Sequence, residues 1–500
     1  MNLGIAVALS GLLGFVALSY EILWVRVYNF TSGGEAETFG YLLAAYLFGI
    51  GAGSWLSRRW CEADRAQSRE PLRVLAGAML GANLCGVFFI PIMAELVRVV
   101  PYRATYPFVA VVAAFFGVGL PLLAHFSVPA DRHSGARLSY LYFANICGSA
   151  AGSLLTGFVL LDVMTLGGIV ALLAVLGFFI FVGILLLGSR MSPLRVALTT
   201  FALGWLVLFS AAIPLMFDGV YEKLQLKGEY ESGTRFKRVI ENKSGVITVD
   251  EAGAVFGGGA YDGRFNVGLV DDVNWIVRAY WLAGLDRNPK QVLVVGLGSG
   301  SWTQVVAHHP SVEHVTVVEI NPGYLDLVRR EPLVRSLLQN PKVEFVIDDA
   351  RRFLQGTERR FDLVVQNTTH HWRAHVTNLL SREYLELVRR HLYPGGVFYG
   401  NMTQSDAAQR TAATVFPHAL RFLTFVAASD APLHFDRVRW REALLRYRID
   451  GRSVLDAGRP DQAAALERIV REAQPESRAD LLRRTEGAPV VTDDNMATEW

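Results

Sequence analysis

Cysteine is scarce in this 500-residue sequence: three residues, Cys61, Cys85 and Cys147, with no short ligand spacing between any two. That excludes a disulfide framework and a cysteine zinc site, and no metal is expected; the three read as small packing residues. Net charge is nearly absent as well. Lys and Arg number 48 against 46 Asp and Glu, a balance of +2, and no basic cluster interleaved with aromatics follows residue 217, so nucleic acid is not an expected partner. The third scarcity is regional. Charged residues are few before about residue 217 and mostly follow it, although 52% of the whole chain is hydrophobic. The chain reads as half membrane, half soluble.

Seven stretches in the first half are long and apolar enough to cross a hydrocarbon core: 3–24, about 38–56, 74–97, 105–127, 139–161, 166–188 and 197–216. The first lacks a basic flank and a small-residue cleavage site and is followed by further spans, so it reads as a retained helix. GIGAG (Gly49 to Gly53) and GSAAGS (Gly148 to Ser153) supply small residues that let helix backbones approach closely where lipid gives no hydrophobic drive. Glu21, His125 and Asp162 are ionisable groups within or against these spans, candidates for a substrate path. For Glu21 the alternative is pairing with the nearby Arg26 or with backbone amides.

Organisation in the second half centres on Gln291 to Glu319. An apolar run ends in Gly296, Gly298 and Gly300, a helical pattern follows, and a second apolar run ends in Glu319. Strand, glycine turn, helix and strand in that order let a backbone approach a ligand at a helix start and place an acid where a ribose is bound. The alternative is a tight turn with a solvated Glu319. Residues 218–235 read as a linker, 236–266 as a small antiparallel sheet broken by SG, AG and GGG, and 272–285 as a helix. Further strands at 343–347, 361–366 and 396–400 alternate with helices after Pro322, at 350–354 and at 382–391, which specifies a doubly wound parallel sheet. Tail helices are expected at about 461–473 and 477–484. Ligands bind beyond the carboxyl ends of such strands, and the glycine turn, Glu319, Asp348 with Asp349, and Gln366 to His371 all fall at those ends.

GLGSGSW, VVEINP, DDARRF, FDLVV and YPGGVF together resemble the spermidine synthase branch of the class I S-adenosylmethionine-dependent transferases. The whole chain is similar to bacterial membrane-fused spermidine synthase-like proteins, with SYEILWVR, FANICGSAAG, YDGRFN and TDDN (Thr492 to Asn495) as matching pieces. The resemblance implies a polytopic helical membrane bundle of about seven spans (1–217), a linker and small β-sheet lead-in (218–270), and a Rossmann-like transferase domain (271–500). It implies S-adenosylmethionine or its decarboxylated form as co-substrate, and transfer of an aminopropyl group to an amine. Gly296, Gly298 and Gly300 would line the transferred end of the cofactor, Glu319 would hold the ribose hydroxyls, Asp348 or Asp349 would accept from the adenine amino group, and Ile320 would lie against the ring. Ser299 and Gln366 complete the cofactor set.

Two positions depart from that branch. Ser299 stands where aminopropyltransferases carry an Asp, and QNTTHHWRAH replaces their Asp-rich loop. An attacking amine must lose a proton, and His370 or His371 can take it, since an imidazole titrates near neutrality; the alternative is a solvated loop pair. Asn367, Thr368 and Arg373 suit an acceptor that is less basic, lipophilic or anionic. Asp262 in YDGRFN either binds acceptor or caps a turn. Methyl or aminocarboxypropyl transfer is the enzymatic alternative, and a transporter or polyamine sensor with a regulatory cofactor-binding domain is the alternative from another class. Membrane lipids are expected neighbours, and a homodimer is an allowed assembly. Arg58, Arg59, Arg65, Arg69 and Arg73 place their loop in the cytoplasm, which with seven spans would put the second half outside. Adenosyl chemistry argues the reverse, and the expected location is a bacterial inner membrane with the soluble half cytoplasmic.

Overall fold

The computed structural model describes residues 1–61, 70–187, 197, 200–201, 204–206, 208, 212–213, 215–368 and 370–499. The chain divides into two compact units, Met1–Phe236 with Glu241–Gly245, and Lys237–Ile240 with Val246–Trp500.

In the first unit, among the described residues, six helices are long and apolar enough to cross a membrane: Leu3–Ser32, Glu37–Trp60, Arg73–Leu96, Tyr102–Ser127, Ser134–Val163 and Leu166–Leu185. The expected seventh span, 197–216, lies largely outside the described residues. The small-residue motifs do what their composition implies. A Cβ at Gly148 would overlap the backbone of Gly11, one at Gly152 the backbone of Phe15, and ones at Gly49 and Gly53 the carbonyls of Ala110 and Ala114, so these helices approach at backbone contact. Ser10 Oγ donates to Leu141 O at 2.9 Å and Thr156 Oγ1 to Ser19 Oγ at 3.0 Å, closing polar groups inside the apolar packing. Glu21 is buried, but Arg26 is not its partner: the guanidinium donates to Asn242 O (2.8 Å) and Gly245 O (2.9 Å). Asp162 pairs with Lys243 Nζ at 3.0 Å. His125 lines a cleft with Ser54, Arg58, Cys61 and Leu138. Residues 218–235, expected as a linker, contain the helix Val220–Leu226. Val220, Tyr221 and Leu224 are buried there, a periodicity too short to stand out in the sequence.

The second unit is built on two sheets. The smaller runs β1 (Arg238–Asn242), β2 (Gly245–Val249), β3 (Ala254–Gly257) and β4 (Ala260–Arg264) in sequence order, with β2–β3 and β3–β4 antiparallel. The larger has strands β5 (Gln291–Val295), β6 (His314–Glu319), β7 (Val343–Ile347), β8 (Phe361–Gln366), β9 (Leu392–Asn401), β10 (His418–Phe422) and β11 (Phe425–Ser429); β12 (Arg448–Ile449) and β13 (Arg452–Ser453) form a separate pair, and β14 (Glu476–Ser477) joins the larger sheet's edge. Its order is β14-β10-β11-β9-β8-β5-β6-β7. Strands β7, β6, β5, β8 and β9 are parallel, while β11 and β10 return antiparallel. Both faces of β5 are covered: Val292 and Val294 face one core, Leu293 and Val295 the other. That is why the strand is apolar without alternation. The chain leaves β5 for β6 on one side, and β8 lies on the other, so the sheet's topological switch falls at the carboxyl end of β5.

The expected helix at 272–285 is shorter. Trp275 has φ 57° and Asp272 accepts the amides of Ile276 (2.6 Å) and Val277 (3.1 Å), so regular helix begins only at Val277–Tyr280 and tightens into a 3-10 turn at Trp281–Gly284. An acid that binds the amides ahead of it starts a helix rather than lying within one. The hairpin β10–β11 was not foreseen.

Candidate functional site

Gly296, Gly298 and Gly300 all have positive φ, 85°, 52° and 77°. A left-handed backbone favours glycine; at Gly298 a side chain would in addition meet Asp262 O at 2.9 Å, whereas above Gly296 there is open space. The turn is bound from beneath by Glu319, at the end of the neighbouring strand. Its two carboxylate oxygens accept the amides of Leu297 (2.7 Å) and Asn321 (2.8 Å). The residue is 5% exposed, and burial, with the nearby Asp262 charge, pushes its pKa up to about 7, against the amides of Leu297, Asn321 and Ile320 that lower it. Ile320, beside it, is 62% exposed, an apolar surface left uncovered next to an acid.

At the end of β7, Asp349 is the N-cap of the helix Ala350–Gln355, accepting from Arg352 N at 2.8 Å. Asp348 accepts from Asp349 N and pairs with the Arg352 guanidinium. Of the two acids offered for adenine, one is therefore engaged by a helix start and the other by an arginine. Ser299 does not point to open space. Its Oγ donates to Arg264 O (3.0 Å) and bonds Ser301 Oγ (3.1 Å), tying the turn to the end of β4.

After β8, Gln366 is buried; its Nε2 donates to Thr368 Oγ1 (2.9 Å) and Leu379 O (2.8 Å), while its buried Oε1 has no partner among the described residues. Asn367 accepts from Asn401 Nδ2 at 3.0 Å. His370 Nε2 lies 3.2 Å from Tyr261 O, and His371 Nδ1 lies 2.9 Å from Thr403 Oγ1. A carbonyl only accepts, so the His370 proton is on Nε2 and its Nδ1 keeps the lone pair. Burial lowers the pKa of both imidazoles, and for His370 the Arg373 guanidinium adds to the shift. Both are neutral near pH 7. Arg373 Nη2 donates to Gly257 O at 3.1 Å, and the Asp262 carboxylate accepts from Tyr324 OH. The loop, the β3–β4 hairpin and the glycine turn thus converge at one edge of the sheet.

Residues 282–416 match the family model described as "Spermine/spermidine synthase domain". That match spans β5 to β9, about a quarter of the chain. Among curated relatives, the polyamine aminopropyltransferase of Aeropyrum pernix is 31% identical over 158 residues, 29% of this chain and 50% of that protein. The spermidine synthase of Dictyostelium discoideum is 35% identical over 111 residues, 22% of this chain and 39% of that protein. The chain spans about half the length, or less, of the curated relatives it matches. The spermidine synthase structure from Thermotoga maritima aligns at 19% identity and a TM-score of 0.34 over 44% of this chain and 81% of that one; so low a score adds nothing to the sequence matches.

Within and around the matched stretch the structure brings together most of the residues read from sequence, and adds others. Tyr324 on Asp262, Thr403 on His371, and Tyr261 O on His370 were not foreseen. Tyr324 follows Glu319 closely in NPGY, but nothing in that spelling points to a carboxylate on β4. Gly257 is the sharper signal: a Cβ there would collide with the Tyr324 hydroxyl, so the GGG stretch serves close approach as well as turning.

Proposed function

We propose that the chain is a membrane-bound transferase of spermidine synthase type, moving an aminopropyl group from decarboxylated S-adenosylmethionine to an amine acceptor. One observation carries the reading: a glycine turn that is open above Gly296 and bound by Glu319 shares a sheet edge with a loop holding a neutral histidine whose Nδ1 keeps its lone pair. The residues fit an adenosyl donor. Space lies above Gly296, Ile320 offers an apolar face, Glu319 keeps lone-pair capacity beyond its amide bonds, and the buried Gln366 Oε1 has no donor among the described residues. The donor, when bound, supplies a carbon made electrophilic by its sulfonium. The protein's part is to hold that carbon in line with the acceptor nitrogen and to take the proton at His370 Nδ1. Arg373 helps to keep His370 neutral until the amine arrives. The six apolar helices among the described residues support attachment to a membrane, and the adenosyl donor, made inside the cell, favours a transferase unit on the cytoplasmic side.

Purified full-length protein in lipid nanodiscs, given labelled carboxylated and decarboxylated donors with a panel of amines, tests this. Aminopropylated product from the decarboxylated donor is expected. Binding without product, or product only from the carboxylated donor, overturns it.

A further inference from the structure

Residues 491–499 run back along the loop that follows β8. Arg382 N donates to Val491 O at 2.8 Å. Asp493 accepts from both Arg351 guanidinium nitrogens (2.9 and 2.5 Å) and from Ser381 Oγ (2.6 Å). Thr498 Oγ1 lies 3.3 Å from Thr377 Oγ1. The final contact is the most specific. The Glu499 carboxylate accepts the amide of His375 on one oxygen (3.0 Å) and the amide of Thr377 on the other (2.9 Å), and the residue is 8% exposed.

Those amides sit at the start of the 3-10 turn Val376–Leu379, where no carbonyl of the turn can receive them. His375 also has φ 67°, a left-handed conformation that a residue with a Cβ holds only when its surroundings impose it. At this point a two-oxygen acceptor lies between the two amides. The upstream end of the same loop is fixed by Gln366, which bonds Leu379 O. Asn367, His370 and His371 lie between these two anchors.

We propose that Glu499 is a positioning residue for the loop after β8, fixing its downstream end so that His370 and His371 face the acceptor. This rests on the transferase reading for its consequence in catalysis, but its structural part does not. Hydrogen–deuterium exchange on the full chain reads that part without turnover. In Glu499→Gln, an amide group replaces one acceptor oxygen with a donor, so exchange at 370–379 is expected to quicken about tenfold to a hundredfold, the span that loss of one charge-assisted bond gives. Exchange in β5 and the glycine turn should not change. Glu499→Asp, one methylene shorter, should fall between. In an active preparation kcat should drop about tenfold with donor Kd unchanged. If the chain transfers nothing, the transferase reading fails and the exchange result still decides the clamp. Unchanged exchange at 370–379 overturns the clamp, and quickened exchange with unchanged kcat in an active enzyme overturns its positioning role. A fall in donor affinity, or global unfolding of both Glu499→Gln and Thr498→Ala, also overturns it, because the carboxylate would then hold the whole domain.

Discussion

In the glycine-turn half of the site the hydrogen bonds to Glu319 span 2 and 22 residues, whereas in the loop half they span 32 for His371, 109 for His370 and 122 to 124 for Glu499. The first half is assembled mainly by one strand–turn–helix–strand unit, from which Ser299 and Ser301 reach out to Arg264 O on β4. The second half exists only after a hairpin from before the sheet and a segment from beyond it have both closed on the loop. Local closure costs little chain entropy and distant closure more. The two halves should therefore fail differently when cut: the turn with its domain, the loop by itself.

The largest separation is expected at Glu319. Glu319→Ala strands two buried amides, each at roughly 1–3 kcal/mol, and removes the proposed ribose acceptor, so denaturant unfolding and calorimetric donor binding should both collapse. Next comes His370→Ala, with a fall in kcat of roughly 10²- to 10⁴-fold and no change in donor affinity or unfolding midpoint. If donor affinity fell equally in both variants, the division into halves would be wrong.

That division also decides what the sequence could show. Strands β5 to β8, the positive-φ glycines and Glu319 were legible because their partners lie within one unit and because buried parallel strands leave an unbroken apolar signature. The six apolar helices among the described residues were legible for the same reason, each being a single continuous segment. The clamp on His375 and Thr377 was not, since a Glu in TEW carries no mark of amides more than a hundred residues away. Nor was Asp349's cap, although an acid just before a helix is a known form of it. Ser299 was read as a missing acid and as part of the cofactor set. Its hydroxyl is in fact a donor, which the residue type allows but the spacing does not reveal.

Ser299→Asp tests that last point and lies lower in magnitude. The hydroxyl donates to Arg264 O at 3.0 Å in a buried position; a carboxylate cannot donate. The change should cost about 2 kcal/mol of stability and loosen the β4 junction. Were the variant as stable as the parent and more active toward diamines, the turn would be an acceptor site with an acid removed and not a junction.

The pH dependence of donor affinity is the smallest effect expected, and its sign is the most discriminating. Burial raises the Glu319 carboxyl from 4.5 to about 7, so the folded domain holds this proton more tightly than the unfolded chain. Its contribution to stability is fully present below about pH 4.5 and is lost as pH rises to about 7. Donor binding runs the other way, because the ionised carboxylate is the better acceptor for two ribose hydroxyls. Between pH 6 and 8 the ionised fraction climbs from about a tenth to about nine tenths, and donor affinity should rise about tenfold. Glu319→Gln should flatten both curves, while His370→Ala should leave both intact and alter only the pH profile of kcat. Affinity that stayed level from pH 6 to 8, with stability still falling, would mean that the carboxylate holds the turn and never reaches the donor.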